Sequence, residues 1–95
     1  MTFDPDRLKR ILEGALLAAG KPMTVIQLES LFQEDEVRPV RDEIKAALED
    51  IASELKGRGF ELLQVASGYR FQVCDDLAPW IGRLWEEKPQ KYSRA

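Results

Sequence analysis

The sequence predicts an α+β fold of the winged helix-turn-helix class: three helices, a two-stranded antiparallel wing and an additional C-terminal helix. Three stretches with helical spacing of apolar residues come first, and the third of them is the strongest. Two short segments rich in aromatic and β-branched residues follow, separated only by Ser67-Gly68. Helix, short helix, long helix and hairpin, in that order, is the layout of a winged helix-turn-helix.

The first helix is predicted over Asp6–Ala19. Asp4 or Asp6 is placed to cap its start, and Gly20 lies just beyond its end. Its apolar residues recur at intervals of three and four and define one buried face: Leu8, Ile11, Leu12, Ala15, Leu16 and Ala19.

A short second helix and a long third helix follow. Thr24 and Gln27 form a capping-box pattern in front of the apolar residues Leu28, Leu31 and Phe32. Pro39 is best tolerated in a first helical turn, so the third helix is predicted to begin near Arg38. One continuous apolar stripe then runs along it until Gly57: Val40, Ile44, Ala47, Leu48, Ile51 and Leu55.

The hairpin is predicted from Phe60 to Cys74 with Ser67-Gly68 as a two-residue turn. This turn would pair Ala66 with Tyr69, Gln64 with Phe71, and Leu62 with Val73. The predicted core face is Phe60, Leu62, Tyr69, Phe71 and Val73, and the outer face carries Leu63 and Val65.

A fourth helix is predicted after the hairpin, with Asp75 or Asp76 as its cap and Pro79 in its first turn. Its apolar stripe is expected to help close the core: Leu77, Trp80, Ile81 and Leu84. We predict a winged-helix domain over residues 1–87 and a linker over residues 88–95. Because Ser93-Arg94-Ala95 looks like a helix cap followed by nothing, a second domain is expected beyond it.

Composition excludes several classes of function. The chain has 95 residues, no histidine and a single cysteine, Cys74. An intrachain disulfide, the usual zinc and copper sites, and Ser-His or Cys-His catalysis are therefore excluded. No acid, base and nucleophile set can be assembled, so we expect neither an enzyme nor a cofactor. No signal peptide or membrane-spanning segment is evident, which predicts a cytoplasmic protein.

Charge argues against DNA as the main partner, although a winged helix often binds it. From Asp35 to Lys56, seven acidic and four basic residues give the third helix and its approach a net charge of −3. The wing strands contribute only one basic residue, Arg70. Arg38 and Arg41 could still form a small phosphate-binding patch. The simpler interpretation is that Arg38, Arg41 and Lys45 are solvated partners of Glu43 and Glu49 on an exposed face.

Apolar residues that the core does not need are the candidate partner-binding residues. Leu17 lies opposite Leu8 on the helical wheel, Leu63 and Val65 lie on the outer hairpin face, and Trp85 ends the last stripe. These residues either are covered within the domain or form an exposed patch for self-association or a partner.

Four segments, in the same order, resemble the segregation and condensation protein B family. They are Leu-Lys-Arg-Ile-Leu-Glu-Gly-Ala-Leu-Leu-Ala-Ala-Gly-Lys-Pro-Met-Thr from Leu8, Gly-Arg-Gly-Phe-Glu-Leu from Gly57, Gly-Tyr-Arg-Phe from Gly68, and Leu-Ala-Pro-Trp-Ile from Leu77. The closing segment from Lys88, Lys-Pro-Gln-Lys-Tyr-Ser-Arg-Ala, resembles that family's junction between two winged-helix domains.

The resemblance implies a dimeric, non-enzymatic and nucleoid-associated subunit. It implies as partners the kleisin subunit, segregation and condensation protein A (ScpA), and through it the structural-maintenance-of-chromosomes (SMC) ATPase. It also implies a role in chromosome condensation and segregation, in a standard or a divergent condensin-like complex. The alternative is a winged-helix transcription regulator, which would have a more basic surface.

Overall fold

The computed structural model of the chain describes residues 3–85. Three helices, α1 (Pro5–Ala19), α2 (Val25–Glu29) and α3 (Arg41–Glu54), precede the strands β1 (Phe60–Val65) and β2 (Gly68–Val73). A 3-10 turn, Ser30–Phe32, extends α2, and a last short helix, α4 (Ala78–Ile81), lies between the 3-10 turns Asp75–Leu77 and Gly82–Leu84. This architecture confirms the predicted winged helix-turn-helix.

The core lies where α1, α2 and α3 meet the inner face of the hairpin. Ten apolar residues are buried there, and nine of them come from the helices and the turn after α2. The predicted stripes of α1 and α3 supply most of the set: Leu8, Leu12, Leu16, Leu28, Phe32, Ile44, Ala47, Leu48, Ile51 and Leu62. Burial of these side chains is the main favourable contribution to folding.

The ends of the first two helices follow the sequence signals. Asp4 occupies the N-cap position of α1, but its side chain makes no capping hydrogen bond. Gly20 ends the helix in the left-handed conformation, with φ of 66°. Thr24 and Gln27 form the predicted capping box: the Gln27 N–H donates to Thr24 Oγ1 (3.1 Å), and the Thr24 N–H donates to Gln27 Oε1 (2.9 Å). Leu31, by contrast, is exposed and does not join the core.

The predicted start of α3 is wrong by three residues. The helix begins at Arg41 rather than near Arg38, and Pro39 is buried ahead of the helix instead of within its first turn. Val40 is extended at the N-cap, where its N–H donates to Glu43 Oε1 at 2.8 Å. The Glu43 carboxylate thus accepts a hydrogen bond from the Val40 N–H, which has no partner within the helix. Val40 is consequently exposed and falls outside the stripe to which the sequence assigned it.

The hairpin pairs with a different register from the predicted one. Val65 pairs with Gly68, so the two-residue loop is Ala66-Ser67 rather than Ser67-Gly68. Leu62 therefore pairs with Phe71 instead of Val73. The predicted partners of Gln64 and Ala66 are wrong for the same reason. Because the new register moves every partner by two positions, the same side chains still share one face of the hairpin. Only Leu62, Tyr69 and Phe71 of the predicted core face join the core or pack against it. Phe60 and Val73 are 38% and 44% exposed, so the prediction is wrong for these two.

Gly68 belongs to the strand because a third piece of backbone packs against it. Met23 and Tyr69 form an antiparallel bridge on the edge of β2 opposite β1. An added Cβ on Gly68 would lie only 2.3 Å from the carbonyl carbon and oxygen of Met23, and its φ of 130° is a conformation that L side chains rarely adopt. Only glycine fits this close approach.

The segment after β2 does not close the core, contrary to the prediction. No residue of Asp75–Leu84 is buried, and the side chains of Trp80 and Leu84 are 60% and 69% exposed. The buried cluster and the apolar residues packed against it come from Phe3 to Phe71 and include no residue of this stripe. Pro79 does lie in the first turn of α4, but Cys74 holds the N-cap position ahead of the preceding 3-10 turn, without a side-chain cap bond. Neither Asp75 nor Asp76 acts as the expected cap.

Candidate protein-interaction surfaces

The surface that would approach DNA in a winged helix is acidic, and its arginines are engaged locally. Arg41 on α3 binds both carboxylate oxygens of Glu29 on α2, at 3.0 and 2.8 Å. These hydrogen bonds lower the pKa of Glu29 and raise that of Arg41. Arg38 Nε donates to the carbonyl oxygen of Asp35 at 3.1 Å. Neither arginine pairs with Glu43 or Glu49, so that sequence-based interpretation is wrong in its partners.

The wing offers little for a phosphate backbone. Arg70 Nη2 donates to Gln72 Oε1 at 2.6 Å, and the hairpin loop is Ala66-Ser67, which carries no charge. Affinity for DNA depends on several basic groups that contact phosphates at once. Such an array is not found on α3 or the hairpin.

The four candidate partner-binding residues fall in three places. Leu17 is 67% exposed on α1, and Trp85 is 77% exposed at the C-terminal end of the described chain. Leu63 and Val65 are half-buried on the outer face of β1, where Leu63 pairs with Arg70 of β2. The hairpin pair share one face of β1, whereas Leu17 lies on α1 and Trp85 follows the last 3-10 turn.

Leu17 borders a groove between the C-terminal end of α1 and β2, which we call the α1–β2 groove. The groove has a volume of about 320 Å³ and is lined by Leu16, Leu17, Gly20, Lys21, Pro22, Arg70 and Phe71. Its lining combines apolar side chains with two cations and includes no acidic residue. In a chain with a net charge of −3, this is a local concentration of positive charge.

A second apolar surface lies on the last turns of the described chain, and we call it the C-terminal apolar patch. It consists of Trp80, Leu84 and Trp85, each of which is at least 60% exposed. Large aromatic side chains are common anchors of protein interfaces, and clustered exposed apolar groups mark interaction sites.

Sequence reasoning missed Trp80 and Leu84 as surface residues because it placed them in the core. A signal was present, since α1, α3 and the hairpin already supplied complete apolar faces for so small a domain. Lys21 and Pro22 were also missed. Their place beside Arg70 depends on the bridge between Met23 and Tyr69, which links distant parts of the chain and leaves no local pattern.

The described residues contain little that suggests chemistry. Between residues 3 and 85, no group of three or more histidine, cysteine or carboxylate side chains could hold a metal ion. Cys74 is half-buried, its thiol donates to the Arg58 carbonyl oxygen at 3.4 Å, and burial raises its pKa, with smaller contributions from nearby carboxylates. A raised pKa disfavours the nucleophilic thiolate. In the same part of the chain, no helix is long and apolar enough to cross a membrane.

Comparison with known proteins gives a consistent family. Residues 10–95 match the model of the segregation and condensation complex subunit ScpB. The chain is 47% identical over 88 residues to a segregation and condensation protein B homolog of Coxiella burnetii, which covers 92% of the chain and 41% of that protein. It is 32% identical over 98 residues to segregation and condensation protein B of Bacillus subtilis, covering all of the chain and 47% of that protein. The chain thus spans less than half the length of these relatives.

Solved structures share the fold. ScpB from Mycobacterium tuberculosis superposes with a TM-score of 0.77 at 28% identity, over 93% of this chain and 56% of that one. A dimer of the ScpB N-terminal domain complexed with ScpA peptide superposes with a TM-score of 0.72 at 22% identity, over 83% of this chain and 95% of that one. The second superposition includes nearly the whole of that ScpB N-terminal domain, so the described residues share its fold.

Proposed function

The chain belongs to the family of ScpB, the segregation and condensation complex subunit, and on this premise we propose that it is a non-catalytic adaptor. In this proposal it dimerises and binds the kleisin ScpA, and through ScpA it joins the SMC ATPase in a bacterial condensin-like complex. Its role is chromosome condensation and segregation, and its place is the cytoplasm, at the nucleoid.

The observation that carries the proposal is the combination of exposed apolar groups with an acidic third helix. A winged helix that reads DNA presents basic groups on α3 and the wing. Here the apolar groups are exposed instead, at Leu17, in the C-terminal apolar patch and, in part, at Leu63 and Val65. Apolar contact is the main favourable term in protein association, so these surfaces suit protein partners better than phosphate.

Two kinds of contact follow from the positions of the candidate residues. We assign self-association to Trp85 and the rest of the C-terminal apolar patch, together with Leu63 and Val65 on the outer hairpin face. Leu17 is assigned to the partner, because it borders a groove rather than a flat surface. An ScpB N-terminal domain with the same fold was solved as a dimer complexed with ScpA peptide, and this supports a dimer and an ScpA partner in the proposal.

A domain boundary near residue 87 also belongs to the proposal. The predicted linker, residues 88–95, and the cap-like Ser93-Arg94-Ala95 lie outside the described residues. We propose that this segment joins the winged helix to a second domain. Limited proteolysis of the full-length protein should cut first within residues 88–95, and preferential cleavage inside the winged helix would contradict the boundary.

The test is purification of the tagged full-length protein from its native cell, with partners identified by mass spectrometry. The proposal expects a kleisin and an SMC ATPase in stoichiometric amounts. Recovery of a transcription complex without either subunit would favour the alternative, a winged-helix regulator. The variant Leu17→Asp tests the assigned partner contact. It changes one exposed side chain, so it should reduce kleisin recovery without unfolding the domain.

A further inference from the structure

The outer edge of β2, on the side opposite β1, is only partly paired by backbone hydrogen bonds. Tyr69 exchanges both of its backbone hydrogen bonds with Met23: the Met23 N–H donates to the Tyr69 carbonyl at 2.9 Å, and the Tyr69 N–H donates to the Met23 carbonyl at 2.7 Å. Backbone groups in an antiparallel strand point alternately to the two sides. Because the backbone groups of Tyr69 point away from β1, those of Phe71 and Val73 also point away from β1.

The other side of the strand agrees with this alternation. The Cys74 N–H donates toward the β1 side, to the Gly59 carbonyl at 3.0 Å. Within residues 3–85, no backbone partner is found on the outer edge for the N–H and C=O groups of Phe71 and Val73. Met23 therefore pairs with one outward-pointing residue of this edge, and the next two have no backbone partner in the described part of the chain. Such an edge accepts an added strand, with the backbone groups giving affinity.

The α1–β2 groove lies along this edge. Phe71 contributes both to the groove lining and to the open edge, and Leu17 forms part of the opposite, α1 side. Lys21 and Arg70 are the two charged side chains of the lining. A bound peptide could therefore form backbone hydrogen bonds, apolar contacts and ion pairs within this one groove.

From this juxtaposition we propose that the α1–β2 groove binds an extended, acidic peptide segment of a partner protein, which adds to the outer edge of β2. The segment bonds the backbone of Phe71 and Val73, packs an apolar side chain on Leu17, and places carboxylates beside Lys21 and Arg70. Hydrogen bonds between cations and carboxylates are stronger than those between neutral groups, so they select an acidic segment over a neutral one. This inference rests on the proposed adaptor function, to which it adds a surface and a chemical class of partner.

The first test uses two short synthetic peptides, one alternating leucine with glutamate and the other alternating leucine with lysine. Titration into the ¹⁵N-labelled chain should shift the amide resonances of Phe71 and Val73 with the glutamate peptide and slow their hydrogen exchange. Methylating alternate backbone nitrogens of that peptide should abolish the effect, because the added strand loses its donors. Shifts confined to other surfaces, equal shifts with the lysine peptide, or no shifts at millimolar peptide would overturn the proposal.

Charge reversal provides the second test. The double variant Lys21→Glu/Arg70→Glu should weaken binding of the glutamate peptide by about tenfold or more and should strengthen binding of the lysine peptide. The control, Lys45→Glu/Lys56→Glu, makes the same change in net charge at positions outside the groove. Equal losses in the two double variants would show a general charge effect and overturn the proposal.

Two outcomes distinguish a groove for an acidic partner from other uses of the same surface. If the groove amides shift on concentrating the chain without peptide, a second copy occupies the groove and the proposal of an acidic partner is wrong. If the full-length protein recovers the kleisin from cells and the groove variants recover it equally well, the adaptor function stands and the groove is not its site. Failure to recover any kleisin with the native protein would count against the adaptor function itself.

Discussion

Met23 and Tyr69 exchange two backbone hydrogen bonds, of 2.9 and 2.7 Å, and so fix the end of β2 against the segment between α1 and α2. The bridge joins the helical part of the domain to the wing. It also determines the register of the hairpin, because it needs Gly68 as a strand residue directly beside Met23. Loss of this contact should therefore loosen the wing from the helices.

Replacing Gly68 by alanine should destabilise the domain by about 2–4 kcal/mol, since the new Cβ would clash with the Met23 carbonyl in an unfavourable backbone conformation. Urea unfolding followed by circular dichroism measures this change. Gly14→Ala is the control, because Gly14 lies within α1 with no atom near its added Cβ and should gain about 0.5–1 kcal/mol. Similar stabilities for the two variants would show that the close approach does not exist.

The corrected start of α3 has a consequence for stability. Ile44→Ala should cost about 2–5 kcal/mol because Ile44 is fully buried. Val40→Ala should change stability by less than about 0.5 kcal/mol because Val40 is 61% exposed. The sequence pattern assigned both residues to one buried stripe. Thermal or urea unfolding of the two single variants therefore tests whether Val40 belongs to that stripe. A large loss for Val40→Ala would restore the longer stripe.

The ion pair between Glu29 and Arg41 should make stability depend on acid. The pKa of Glu29 lies below its ordinary value of 4.5 in the folded chain, so its contribution is present above that pH and is lost as the pH falls through the lowered pKa. Glu29→Gln should therefore lower the urea midpoint at pH 7 and make it less sensitive to acidification. Glu49→Gln is the control, since Glu49 makes no ion pair within residues 3–85. The same loss of acid sensitivity in both variants would contradict the assignment.

Self-association should depend on the C-terminal apolar patch. Analytical ultracentrifugation at tens of micromolar should give a dimer for the native chain and a monomer for Trp80→Ser/Trp85→Ser. Unfolding of that variant should be little changed, because neither side chain is buried. Ile26→Ser removes a comparably exposed apolar side chain from α2 and should leave the dimer intact. A native chain that is monomeric throughout this range would contradict the proposed dimer.

The elements that could be predicted are those with local signals. The capping box of Thr24 and Gln27 and the stripe from Ile44 to Ile51 indicated two helices and most of the core. The hairpin's core face was predicted in part, because a shift of two positions in pairing keeps the same side chains on one face. Leu62, Tyr69 and Phe71 belong to the core or pack against it, whereas Phe60 and Val73 are exposed. The register itself could not be predicted from a two-residue turn, since Gly68 is required by Met23, which lies 45 residues earlier in the chain.

Surfaces were harder to predict than the core. Leu17 and Trp85 were expected to be either covered or exposed, and their exposure follows from packing that no local pattern encodes. Trp80 and Leu84 have the spacing of a core stripe, yet the core is complete without them. Apolar periodicity indicates that a helix has a face to cover, but it does not say whether the covering surface belongs to the same chain.

We propose that this winged helix binds protein rather than DNA. Isothermal titration calorimetry at physiological salt, with a central segment of ScpA in one experiment and duplex DNA in another, tests it most directly. We expect saturable binding of the ScpA segment and only weak duplex binding that does not depend on sequence. The reason is that α3 is acidic, that its Arg41 is bound to Glu29, and that Arg38 ahead of the helix donates to the Asp35 carbonyl oxygen. Nanomolar, sequence-selective binding of duplex without measurable binding of ScpA would contradict it and identify a DNA-binding regulator.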